Sequence, residues 1–80
     1  MNQKTFETQL IKIYKQLKIN SSPYVSIGQV KNEMNVPEFE HKFFKAVTKL
    51  GITLVAGRQG QGYETFLYNG QRLVTFYIPI

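Results

Sequence analysis

Apolar residues recur every three or four positions through the first fifty residues and then change to the alternation expected of strands. Between residues 5 and 18, Phe6, Leu10, Ile13, Tyr14 and Leu17 share one side of a helix, and Lys12, Lys15 and Lys18 lie elsewhere around it. Thr5 is the expected cap, and Asn20-Ser21-Ser22-Pro23 is the expected stop. Tyr24-Val25 is short, β-prone and bounded, which predicts a brief strand. Ser26 with Gln29 three residues on forms a capping box, and Ile27, Val30 and Met34 continue it as a short helix over residues 26 to 35.

A third helix is predicted from Pro37 to Leu50. Proline suits the first helical position, Glu38 and Glu40 suit the positive end of the dipole, and Gly51 closes the element. With residues about 100° apart, Phe39, Phe43, Ala46, Val47 and Leu50 face inward. Glu38, His41, Lys42, Lys45 and Lys49 share the outward side, and Phe44 falls off the buried arc, at the margin of the core or in an interface.

After Gly51 three strands are predicted, at 52–56, 63–68 and 72–78. Asn69-Gly70 is a strong hairpin signal, pairing Tyr68 with Gln71, Phe66 with Leu73 and Thr65 with Val74. Read as a three-stranded meander, the sheet carries Phe66, Tyr68, Leu73 and Tyr77 on one face and Tyr63, Leu67, Val74, Phe76 and Ile78 on the other. Three helices cover only one face, so a second copy of the chain is expected to cover the other, with the last strand as a pairing edge. The fold class is α+β, and residues 1–80 form a single domain, since eighty residues cannot support two cores.

Charge adds a direction. The chain has ten Lys and Arg against five acids, a formal net charge of +5, and no acid between His41 and Tyr63. There Lys42, Lys45 and Lys49 form a helical stripe, followed by the glycine-rich tip Gly57-Arg58-Gln59-Gly60-Gln61-Gly62. Such a surface is attracted to polyanions. The tip lacks the Gly-Lys-Ser/Thr ending of a phosphate-binding loop and lies between strands, so a nucleotide cofactor is not expected. With no Cys, no Asp and one His, neither a disulfide scaffold nor a metal centre is expected. Glu38 and Glu40 beside His41 are explained by the helix terminus, and no enzyme is expected. No apolar run approaches a membrane span, and Met1-Asn2-Gln3-Lys4 lacks the apolar region of a signal peptide, so the expected location is the cytoplasm.

The order helix, short strand, helix, tight turn, helix and basic hairpin resembles the winged helix-turn-helix superfamily over roughly residues 5 to 68. The resemblance implies a supporting helix at 26–35, a recognition helix at 37–50 entering the DNA major groove, and a wing at 57–62. It places His41, Lys42, Lys45, Thr48 and Lys49 toward double-stranded DNA, Lys31 at the edge, and Arg58, Gln59, Gln61 and Tyr63 on or beside the wing. The recognition face offers lysines and no Arg, Asn or Gln, which favours phosphate contact over base readout. Pro37-Glu38-Phe39 with Phe43-Phe44-Lys45-Ala46-Val47-Thr48-Lys49-Leu50 is also similar to the LOTUS, or OST-HTH, branch. Lys45 stands where that branch commonly has Gly. That branch implies RNA or protein partners, and a protein-binding module would use Phe44 and the outer sheet face. The expected function is a small DNA-binding protein that regulates transcription or organises a DNA site, as a homodimer through the C-terminal strand.

Overall fold

A computed structural model describes residues 1–19, 21–57 and 64–80. The order of elements is α1 (Gln3–Leu17), β1 (Val25–Ser26), α2 (Ile27–Met34), α3 (Phe39–Leu50), β2 (Thr53–Ala56), β3 (Phe66–Tyr68) and β4 (Gln71–Tyr77). The domain is thus α+β, three helices with a four-stranded antiparallel sheet.

The helices lie where the apolar spacing places them, with differences at their ends. α1 begins earlier than expected because Asn2, not Thr5, is its cap: the Asn2 Oδ1 accepts from the Thr5 amide at 2.8 Å. Ser26 caps α2 as predicted, accepting from the Gln29 amide at 3.3 Å. α3 starts at Phe39 rather than Pro37. Glu38 is left-handed at φ 59°, as is Asn35 at φ 49°, and these two residues turn the chain between α2 and α3, so Pro37 belongs to the turn.

The meander is not what forms. Phe76 pairs with both Val25 and Leu54, and Leu73 pairs with both Ala56 and Phe66. β4 is therefore the interior strand, with β2 on one edge and β1 and β3 sharing the other. β4 is thus paired from both sides, which corrects the expectation that the last strand is an open edge. The seven residues of β4 are long enough to pair along both edges. The hairpin at Asn69-Gly70 does form, with both residues at positive φ and with Phe66 opposite Leu73 and Tyr68 opposite Gln71. Thr65 lies outside the ladder.

A bulge corrects the expected faces of the sheet. Val55 pairs with Thr75 and Ala56 with Leu73, leaving Val74 as an extra residue on β4. Alternation slips by one there, so Phe66 and Leu73 join Phe76 and Ile78 in the same core. The sequence alone, read without the bulge, had divided these residues between two faces. These four residues thus share one face, and Leu67, beside Phe66 in β3, is left exposed at 71%.

That core takes Phe6, Leu10 and Tyr14 from α1, Ile27 and Val30 from α2, and Phe39, Phe43 and Ala46 from α3. Tyr14 donates its hydroxyl proton to the Pro23 carbonyl, and burial pushes its phenol pKa up.

The bulge depends on Gly57. A Cβ there would lie 2.2 Å from the Val74 Cγ2 and 2.7 Å from the Val74 Cβ, inside any permitted contact with a rigid β-branched side chain. Gly57→Ala is expected to destabilise the domain by about 1 to 3 kcal/mol in urea unfolding. Val74→Gly removes both colliding atoms, so Gly57→Ala is expected to cost less in a Val74→Gly background than in the wild type. An equal cost in both backgrounds would show that the clash is not the cause.

Candidate nucleic-acid interface

α3 presents three kinds of side. Phe39, Phe43 and Ala46 are buried, and His41, Lys45 and Thr48 are exposed on the opposite arc. Lys42 and Lys49, two turns apart, occupy the flank toward α1. Glu40 and Phe44, one turn apart, occupy the other flank, facing Lys31 of α2 and β3.

The α1 flank is fixed by polar contacts. The Gln3 Nε2 donates to the Lys42 carbonyl and to the Glu7 Oε2, both at 2.9 Å. Glu7 is only 7% exposed, and the Lys49 ammonium lies 3.6 Å from its Oε1. A carboxylate this buried needs such partners, because an unpaired charge there would be strongly destabilising. Lys49 is thus both an exposed cation and the counter-charge of a buried acid. Gln3 and Glu7 were not among the residues expected here. A signal was present, since Glu7, Leu10 and Tyr14 follow the same spacing of three and four, so the only acid of α1 sits on its buried stripe.

The opposite flank gathers three elements around Lys31. Its ammonium lies 3.6 Å from the Glu40 Oε1 and 3.3 Å from the Glu64 Oε1, and 5.4 Å from the centre of the Phe66 ring. The hydrogen bond to Glu64, aided by both carboxylate charges, raises the Lys31 pKa. One turn along α3, Phe44 stacks on Tyr68 with ring centres 4.3 Å apart and planes within 5°. Phe44 is therefore at the margin of the core, its ring face covered from within the chain.

Of the residues expected to meet nucleic acid, the structure brings His41, Lys42, Lys45, Thr48 and Lys49 onto the outward half of one helix. Lys31 lies on α2, held between Glu40 and Glu64, and lines the same recess as His41. Arg58, Gln59, Gln61 and Tyr63 fall outside the described residues. Arg72 was not singled out. It is exposed opposite Leu67 near the hairpin turn, and Leu67 at 71% is the most exposed large apolar side chain among those described.

The turn between α2 and α3 also borders an open recess of about 330 Å³ lined by Lys31, Val36, Glu38, Phe39, Glu40 and His41. No group of three or more His, Cys, Asp or Glu able to hold a metal occurs among the described residues. No helix in them is long and apolar enough to cross a membrane. Comparison with family models, curated proteins and solved structures found no match to this chain.

Proposed function

We propose that this protein is a winged-helix domain that binds double-stranded DNA, with α3 in the major groove and the basic glycine-rich tip, residues 57–62, against the adjoining backbone. The observation that carries the reading is the outward side of α3: His41, Lys45 and Thr48 lie on its crest and Lys42 and Lys49 on one shoulder, while its acids, Glu38 and Glu40, are confined to the N-terminal end. An α-helix fits the major groove, and cations on its shoulder reach the phosphates at the groove wall. The order of the three helices agrees with the superfamily that the sequence resembles, whereas β2 and β3, the strands flanking residues 57–62, lie on opposite edges of β4 instead of forming a hairpin. Arg58, Gln59, Gln61 and Tyr63 are assigned to the wing by that resemblance alone. A role in transcription, or in organising a DNA site, follows from duplex binding by a domain with no catalytic group assigned to it.

The dominance of lysine makes this interface one of phosphates more than of base edges. If about five phosphates are neutralised per subunit, log affinity for duplex falls against log salt with a slope near −4 to −5. Fluorescence anisotropy with duplex DNA, single-stranded DNA and RNA of the same sequence, each at several salt concentrations, measures this. A flat salt response contradicts the electrostatic interface. A preference for unpaired strands or RNA moves the reading to the alternative that the LOTUS-like features imply.

A further inference from the structure

Three alternate residues of one segment face the same flank of the helices. Glu64 meets Lys31, Phe66 lies under the same ammonium, and Tyr68 stacks on Phe44. On α3 the matching residues are Glu40, which also meets Lys31, and Phe44 one turn later. β3 and the residues just before it therefore run along α3 for a full helical turn, joined polar at one end and aromatic at the other. Glu64 is held close on its other side as well: a Cβ on the buried Gly28 of α2 would come within 3.1 Å of the Glu64 Cβ.

We infer that Lys31 is a positioning residue, which clamps the β3–β4 hairpin against α3, rather than a phosphate contact. Its charge is shared between two carboxylates on different elements, and the ammonium lies over the Phe66 ring. Using that ammonium for a phosphate would place the phosphate beside Glu40 and Glu64, where like charges repel. Glu64 follows the assigned wing, residues 57–62, closely in the chain, so the clamp fixes the segment that leaves the wing. The position of that segment against α3 is then set by this clamp and by the Phe44–Tyr68 stack, which leaves less ordering to DNA binding. The consequence for binding rests on the duplex reading, whereas the clamp itself is a property of the free protein.

Two variants test it. Lys31→Met keeps an unbranched apolar side chain and removes the charge. Amide hydrogen exchange in the free protein is expected to speed up roughly threefold to tenfold over Phe66–Tyr68, with the amides around Phe43 and Ala46 unchanged. Duplex affinity is expected to fall with an unchanged salt slope, because no phosphate contact is lost. A slope reduced by about one with unchanged exchange would make Lys31 a phosphate contact and overturn the inference.

Glu64→Gln separates the readings by sign. Removing a carboxylate near a polyanion raises affinity if only net charge matters, whereas loosening the hairpin lowers it. Higher affinity in Glu64→Gln, or unchanged exchange at β3 in both variants, overturns the clamp. If the wild-type chain binds no duplex, the DNA reading fails while the exchange measurements still decide the clamp.

Discussion

Replacing Phe43 by alanine is expected to leave the domain largely unfolded or, at the least, to lower its Tm by roughly 12 °C or more. Phe43 is fully buried, with ring centres 5.5 Å from Phe39, 5.3 Å from Phe44 and 5.1 Å from Phe76. It joins α3 to the central strand and, through Phe39, to Phe6 of α1, whose ring centre is 5.7 Å from that of Phe39. Truncation removes the ring from water-free packing and leaves a cavity that these neighbours cannot close, at a cost of about 3 to 5 kcal/mol. A chain of 80 residues has a total stability of roughly 4 to 12 kcal/mol, so one side chain decides a large part of it. Thermal unfolding followed by circular dichroism measures the effect. A shift of only a few degrees would mean that the aromatic cluster is not the centre of the core. Phe44→Ala is the internal comparison, since Phe44 is half-buried and its loss is expected to cost less.

Lys42→Glu with Lys45→Glu is expected to reduce affinity for duplex DNA at least about a hundredfold and to flatten the salt slope by about two. Each substitution removes one phosphate contact and places a carboxylate against the backbone, so attraction becomes repulsion. Lys45 is exposed on the crest of α3 and Lys42 half-exposed on its shoulder. Among the described residues, neither side chain is paired with an acid, so the double variant is expected to stay folded. Lys49 belongs to the same outward surface but is a poorer site for this reversal. A glutamate there would bring a second carboxylate to the place where the Lys49 ammonium lies 3.6 Å from the buried Glu7. Lost stability and lost binding would then be confounded. A folded Lys42→Glu, Lys45→Glu chain that still binds duplex as the wild type does would remove α3 from the proposed interface. Retained binding of a protein partner by that variant would instead support an interaction module.

The difference between Lys49 and Lys45 shows how far charge patterning along the chain reaches. Both lie on one stripe in the sequence, and only the position of α1 separates them. Glu7 is far from Lys49 along the chain, and it becomes a partner once Phe6, Leu10 and Tyr14 are buried. Lys31 behaves in the same way. Its partners Glu40 and Glu64 lie on two other elements, and nothing local to Lys31 distinguishes it from a solvated lysine. Glu38 presents the opposite case, where a favourable local expectation fails. A helix starting at Pro37 satisfies the rules for helix ends, yet the reversal between α2 and α3 takes a left-handed residue at Glu38 and moves the start to Phe39.

Local spacing by itself determined the three helices, the Ser26 cap, the Asn69-Gly70 hairpin and the separation of Phe39, Phe43 and Ala46 from His41, Lys45 and Thr48. These depend on periodicity and turn chemistry within a few residues, where the chain carries its own instructions. Only the tertiary structure decided that β4 is the interior strand, that a bulge at Val74 gathers Phe66, Leu73, Phe76 and Ile78 into one core, and that Lys31 and Lys49 are tied to carboxylates. Those outcomes turn on which distant residues meet. A one-residue slip in a ladder moves side chains from one face to the other, and a buried carboxylate takes whichever cation the packing delivers.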